Sequence, residues 1–386
     1  MRASRRRRRL NGILLVVIAV LVVLIVVVAV ASPHRPAAKA HKTQTAARVA
    51  VVKKHEAERQ KAARHKAKTR RVAARKSRVA SPTPGSGAGL TLITEPDAGI
   101  APIYALLASP RYSLDLEIYE LEDDQACAIL AADAARGVQV RVLLDAHYVQ
   151  DENEAAYSYL RAHGVAVRWA PAQFDLTHEK AIVIDDRLAA IMTMNLTAQY
   201  YSSTRDFVVV DRNRSDVAAI AATFAGDWAS GDSQPASASD LLWSPGAEDD
   251  LVALIGSARH ELLVENEEMN DWAVIDALEA AAERGVRVEV VMTRESDWED
   301  AFDALVRAGV AVRTYSYWAT PYIHAKAIVV DPGYAGERVF VGSQNFSVAS
   351  LLYDRELGLI TARPAIVAGV ATVIERDGAG ATAWSP

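Results

Sequence analysis

Two stretches of the chain repeat one phrase: "THEKAIVID", Thr177–Asp185, and "IHAKAIVVD", Ile323–Asp331. Each places a His two residues before a Lys and then runs through apolar residues to an Asp. Residues i and i+2 of a strand share a face. An imidazole and an ammonium are therefore expected to emerge together at the mouth of a buried strand, once in each half. Such a pair means little alone; its recurrence gives it weight.

The repeat extends outward on both sides. "AADAARGVQVRVLLD" (131–145) parallels "EAAAERGVRVEVVMT" (279–293), and "RAHGVAVR" (161–168) parallels "VRAGVAVR" (306–313). "TRDFVVV" (204–210) parallels "DRELGLI" (354–360). Near-constant offsets indicate two duplicated halves, 90–235 and 236–386. Each reads β-α-β-α-β-β-α. Helical spacing in "DDQACAILAADAAR" stops at Gly137, and "ENEAAYSYLRAH" stops at Gly164, both suited to helix ends. "VQVRVLL", "KAIVID" and "DFVVVD" are β-branched runs typical of strands. The fold class expected is α/β: two α-β-α sandwich halves with mixed sheets, related by a pseudo-two-fold.

Composition divides the chain differently. The first 80 residues hold 22 of the 43 Lys and Arg but only two acids, Glu56 and Glu58. The rest holds 21 basic residues against 46 acids. An acidic body disfavours non-specific nucleic-acid binding, which depends on Lys and Arg. Residues 1–12 form a basic tail before nineteen apolar residues, Ile13–Ala31. A helix of that length spans about 28 Å, enough for a hydrocarbon core. The run exceeds the h-region of a cleaved leader, and the Arg cluster before it would stay cytoplasmic. It is read as a membrane anchor with the remainder extracytoplasmic. Secretion after cleavage near Ala31 is the alternative. Residues 32–89 are an Ala/Lys/Arg-rich stalk and a Pro/Gly/Ser linker. The stalk could contact a polyanion or simply be solvated. Cys127 is the only cysteine, so neither an internal disulfide nor a cysteine metal site can form.

The polar residues of the halves fall in one order. His178, Lys180, Asp185, Asn195 and Asp206 match His324, Lys326, Asp331, Asn345 and Glu356. After residue 80 the only lysines are Lys180 and Lys326; the other 19 basic residues there are Arg. A chain that uses Arg for surface cations but Lys at these two places requires a compact ammonium there. Two His, two Lys and two Asn together suit a phosphate without a metal ion. Lys and Asn would stabilise the non-bridging oxygens. One His would attack phosphorus while the other protonates the leaving alcohol. Asp206 and Glu356 would accept the second ring N–H of the histidines. The spacing and the paired lysines do not suit zinc, and no cofactor is expected.

With these motifs the chain resembles the phospholipase D superfamily, whose signature reads H-x-K-x4-D-x6-G-S-x-N. "HEKAIVIDDRLAAIMTMN" matches except that Met192-Thr193 replace Gly-Ser; "HAKAIVVD" with "GSQN" (342–345) matches once four inserted residues in "DPGYAGERVF" are allowed. The resemblance covers about 90–386. It implies two-step phosphodiester chemistry through a phosphohistidine, without metal. His178 and His324 would be nucleophile and general acid, with His178 assigned as the nucleophile by analogy. Lys180, Lys326, Asn195 and Asn345 would bind phosphate, supported by Ser343 and Thr193. Asp206 and Glu356 would orient the histidines, and Asp185 and Asp331 would hold the strand-to-turn structure. Gly342 would let backbone approach the phosphate, as Met192 could not.

Two other stretches bear on the cleft. "ENEEMND" (265–271) is read as an acidic, exposed loop that either binds an alcohol or headgroup or is solvated. Tyr315, Tyr317 and Trp318 form either an aromatic wall or ordinary packing. The expected substrate is a phospholipid, hydrolysed or exchanged as in cardiolipin synthesis. A nuclease and a non-catalytic polyanion-binding scaffold are the alternatives.

Overall fold

A computed structural model describes residues 89–229, 234–236, 238 and 240–386. The basic tail, the apolar run and the stalk expected from the sequence lie outside the described residues. Among the described residues no helix is long and apolar enough to cross a membrane.

The first half contains strands β1 (Thr91–Glu95), β2 (Ser113–Ile118), β3 (Gln139–Leu144), β4 (Ala166–Trp169), β5 (Lys180–Ile184), β6 (Leu188–Met192) and β7 (Thr204–Asp211). Its helices are α1 (Ala101–Leu107), α2 (Asp124–Ala135), α3 (Gln150–Ala162) and α4 (Arg214–Ala229). The second half repeats them as β8 (Leu241–Ser244), β9 (Glu261–Glu265), β10 (Arg287–Thr293), β11 (Ala311–Tyr315), β12 (Ala327–Val330), β13 (Arg338–Gly342) and β14 (Glu356–Thr361). The matching helices are α5 (Ala247–Gly256), α6 (Trp272–Glu283), α7 (Glu299–Arg307) and α8 (Pro364–Gly380). The sheets have the same order, β1-β7-β6-β5-β2-β3-β4 and β8-β14-β13-β12-β9-β10-β11. In each, the β2-β3-β4 type strands are parallel and the others antiparallel. The mixed sheet is as expected. The β-α-β-α-β-β-α pattern lacks the leading strand and helix of each half (β1, α1 and β8, α5), the short strands β4 and β11, and the hairpin strands β6 and β13.

Local chemistry sets the elements in the same way twice. Asp123 caps α2 by accepting from the backbone N–H of Gln125 and Ala126; Asp271 caps α6 from Ala273 and Val274. Gly137, Gly164, Gly285 and Gly309 end the helices at positive φ, where a side chain would be strained. The hairpin between β5 and β6 spans residues 185–187, and that between β12 and β13 spans 331–337. The four extra residues therefore widen a turn without altering the sheet.

The core has three layers. Ile182 and Ile184 of β5 join an outer core under α1–α3, while Ala181 and Val183 face inward. Ile328 and Val330 of β12 go outward beneath α5–α7, and Ala327 and Val329 go inward. The inward faces of both sheets, with α4 and α8, make one shared central core. Both faces of these strands are buried, which explains their continuous apolar runs. Burying each Val, Leu or Ile side chain contributes about 1.5–3 kcal/mol, so this shared apolar core holds the halves together.

Candidate active site

The halves also exchange backbone hydrogen bonds at one place each. Tyr322–Ile323 pairs in parallel with Thr204–Arg205 at the start of β7, and Thr177 bridges Arg355 just before β14. The His324 N–H donates to the Arg205 carbonyl at 3.2 Å and the His178 N–H to the Arg355 carbonyl at 2.9 Å. This register sets each histidine beside the acid of the opposite half. His324 Nδ1 lies 2.8 Å from Asp206 Oδ1, and His178 Nδ1 lies 3.1 Å from Glu356 Oε2. Neither half holds a complete pair.

Buried ion pairs reinforce the crossing. Arg205 binds Asp377 at the end of α8, and Arg355 binds Asp227 at the end of α4 through Nε and Nη2, both at 3.0 Å. Each pair joins opposite halves. The sequence reading treated the arginines as surface cations. Both are instead buried, and Arg355 is among the largest fully buried side chains. The Arg-acid dipeptides 205–206 and 355–356, quoted in the repeat, were the available signal.

Lys180 and Lys326 are also fully buried rather than emerging at a mouth. Each ammonium folds back to the carbonyl of its own histidine, Lys180 Nζ at 2.7 Å from His178 O and Lys326 Nζ beside His324 O. Burial lowers Lys180 to about 7. Burial, then Lys180 and Lys326, pushes His178 well below the usual imidazole range. The two acids diverge. Burial raises Glu356 to about 8. Burial would also raise Asp206, but His324, Lys326 and the Thr193 hydroxyl outweigh it and hold Asp206 below the ordinary range.

The hydroxyls serve these acids. Thr193 Oγ1 donates to Asp206 Oδ1 at 2.6 Å and accepts the Phe207 N–H at 2.9 Å. Ser343 accepts the Leu357 N–H at 3.1 Å and, with Ser350, bonds Glu356. Asn195 and Asn345 follow β6 and β13, and each keeps a buried side-chain oxygen with no protein partner. Asp185 and Asp331 stay away from the centre. At φ 52° and 48°, they accept the backbone N–H groups of 111–113 and 259–261 and so fix the start of β2 and β9.

Several expectations change. Gly342 is opposite Gly358 in the sheet, and an added Cβ would meet the Gln344 side chain and Gly358 Cα. Cross-strand packing thus requires a Gly here. Met192 solves the same position by filling the outer core opposite Val208. "ENEEMND" is mostly not exposed: Glu265, Asn266, Met269 and Asp271 are buried, because they end β9, bridge to Phe346 and cap α6. The Tyr315 hydroxyl donates to the Asp377 carbonyl, so this ring packs on α8, whereas Trp318 is 86% exposed. Glu267, from that same stretch, enters the site: its Oε2 lies 2.9 Å from Lys326 Nζ and 3.5 Å from His324 Nε2. Its counterpart at the 148-residue offset is Tyr119, whose ring meets His178 edge-on at 4.8 Å, with Lys180 Nζ 5.1 Å from its centre.

The family model described as "Cardiolipin synthase, PLD-like domain" matches residues 103–228 and 251–377, one copy in each half. The chain belongs to the phospholipase D superfamily. It is an enzyme of the phospholipase D type, a phosphodiesterase or phosphatidyltransferase. Among curated proteins it is similar to cardiolipin synthase B of Escherichia coli K12, 29% identical over 300 residues, covering 66% of this chain and 71% of that one. Cardiolipin synthase B of Salmonella typhi is 26% identical over 325 residues, covering 71% and 76%. Two solved structures share the fold. Phosphatidylserine synthase of Haemophilus influenzae Rd KW20 superposes with TM-score 0.60 at 12% identity, covering 77% of this chain and 87% of that one. Polyphosphate kinase of Porphyromonas gingivalis superposes with TM-score 0.57 at 18% identity, covering 75% of this chain but only 50% of that one.

Proposed function

We propose that the chain is a membrane-tethered phosphatidyltransferase and phospholipase acting through a phosphohistidine. The observation that carries this is the crossed arrangement, in which each histidine is held at Nδ1 by the other half's acid. Nε2 is thereby the reacting atom of each ring, and at His324 it also lies 3.5 Å from Glu267 Oε2. His178 Nε2 attacks phosphorus, a P–N bond forms, and the P–O bond to the headgroup breaks. The leaving oxygen takes the proton from His324 Nε2. In the second step water or another alcohol gives its proton back to His324 and attacks phosphorus, which breaks the P–N bond and frees His178. Lys180, Lys326, Asn195 and Asn345 bind the non-bridging oxygens.

The environments support this order of roles. A histidine pushed down by burial and two ammoniums stays neutral, as a nucleophile must. His324 instead has a carboxylate at each ring nitrogen, Asp206 Oδ1 2.8 Å from Nδ1 and Glu267 Oε2 3.5 Å from Nε2. The names of the curated relatives support a phospholipid substrate and transfer between lipid alcohols. The apolar run Ile13–Ala31 behind an Arg cluster supports an anchor with the catalytic part outside the cytoplasm.

The full-length chain, with EDTA, is tested on phosphatidylglycerol and phosphatidylethanolamine vesicles, single-stranded DNA and a soluble nitrophenyl phosphodiester. H178A should lose about 10³-fold or more on lipid and nitrophenyl diester alike. H324A should lose about as much on lipid but far less on the nitrophenyl diester, whose leaving group needs no acid. Full lipid activity in H178A would sink the mechanism, and turnover of DNA alone would sink the substrate assignment.

A further inference from the structure

The carboxylate of Glu267 stands inside a site built for an anion. Its side chain is 22% exposed, and it contacts both Lys326 Nζ and the reacting nitrogen of His324. Burial would raise it, but Lys326 and His324 outweigh that and hold it well below the usual carboxylate range, so it is ionised. An ionised carboxylate accepts hydrogen bonds and donates none. Beside it the Tyr322 hydroxyl donates to Glu295 at 2.8 Å. The symmetric place beside His178 carries no charge, only the ring of Tyr119.

A negative group here opposes phosphate binding, so it is expected to repay that cost elsewhere in the reaction. Its position says where. Asp206 holds Nδ1 of His324, so the proton passes at Nε2, between His324 and the alcohol oxygen that leaves or enters. An oxygen within about 2.6–3.2 Å of Nε2 brings the carbons attached to it close to Glu267 Oε2. A donor group two carbons along the alcohol can then bond the carboxylate, whereas an apolar end gains nothing and an anionic one is repelled.

We propose that Glu267 selects the alcohol, favouring one with a second hydrogen-bond donor, hydroxyl or ammonium, two carbons from the reacting oxygen. This rests on the two-histidine reading above and adds the acceptor class to it.

The test is a competition for the covalent intermediate. Full-length wild type, E267Q and E267A are given deuterated glycerol, ethanolamine and 1-propanol at equal concentrations, and the products are counted by mass spectrometry. Phosphatidylglycerol vesicles and the soluble nitrophenyl diester serve as separate donors. The product ratio does not depend on how fast the intermediate forms, so a Glu267 that merely balances the charge of Lys326 would leave it unchanged. Wild type should favour glycerol or ethanolamine over 1-propanol, and both variants should move that ratio at least about tenfold toward 1-propanol, the size of one lost donor–carboxylate bond. A shift confined to glycerol assigns a polyol, and one confined to ethanolamine an ammonium. Unchanged ratios overturn the proposal, as does an E267Q chain that melts like wild type and turns over neither donor. Wild-type turnover of the soluble diester alone sinks the phospholipid reading while the ratio still decides Glu267. No wild-type turnover of either donor overturns both.

Discussion

His178 and His324 occupy equivalent places, yet their surroundings carry different charge. His178 meets Glu356, raised to about 8 by burial, and the neutral ring of Tyr119. His324 meets Asp206, held low by His324 and Lys326 against burial, and the ionised Glu267. Duplication supplies two identical frames, and a few substitutions then divide one chemical task between them. A symmetric pair would give both histidines the same affinity for a proton, whereas the two-step reaction needs them to differ.

The acids break or sharpen this comparison most directly. At pH 7 Glu356 carries a proton, so E356Q replaces it with a near-isostere and should cost at most about tenfold in kcat. D206N removes the carboxylate that holds Nδ1 of His324 and should cost about 10²–10³-fold, within the range of a lost general acid. Equal losses in the two variants, read from kcat on lipid, would mean the half-sites are electrostatically alike.

A smaller effect separates the lysines' environments. Lys180, at about 7, loses its proton as pH rises through neutrality, and with it the charge that binds phosphate. The kcat/KM of wild type should therefore fall about tenfold per pH unit above this value. Arg does not deprotonate in this range, so K180R, although slower, should shift that limb upward by about one unit or more. A limb that stays in place in K180R would remove Lys180 as its source.

Much of this was legible because the chemistry is repeated. Four strands of each half, the Gly ends of the helices before β3 and β4 and their counterparts, and both His-x-Lys phrases follow from period, Gly punctuation and a near-constant offset. The crossing was not legible, because a one-dimensional repeat places Asp206 beside His178 as readily as beside His324. Only the pairing of Ile323 with Arg205 and of Thr177 with Arg355 decides between them. Burial of Lys180, Lys326, Arg205 and Arg355 was hidden for a related reason. Charged residues are normally exposed, and their partners come from the opposite half or from another loop. Glu267 stood in a stretch that composition alone marks as solvated.

The smallest difference concerns stability. Glu179 stands between His178 and Lys180, where the second half has Ala325. It is buried and raised to about 8, mainly by burial; Arg355 pulls it down, and Asp227 and Glu356 push it up. A carboxyl whose folded value exceeds its unfolded value of 4.5 binds its proton more tightly in the folded state. Its contribution is fully present below about 4.5 and is lost as pH rises through about 8. Wild type should therefore lose stability between pH 6 and pH 9. E179Q keeps the shape without the ionisation, so it should lose less over that window. One pKa unit corresponds to about 1.4 kcal/mol, or about 2 °C in a domain of this size, and the narrowing should be at least that large. Glu117, also buried and raised well above its ordinary value, keeps part of the pH dependence in the variant. Thermal melts at pH 6 and 9 measure the difference, and equal losses in wild type and E179Q would show that Glu179 ionises as freely in the folded chain as in the unfolded one.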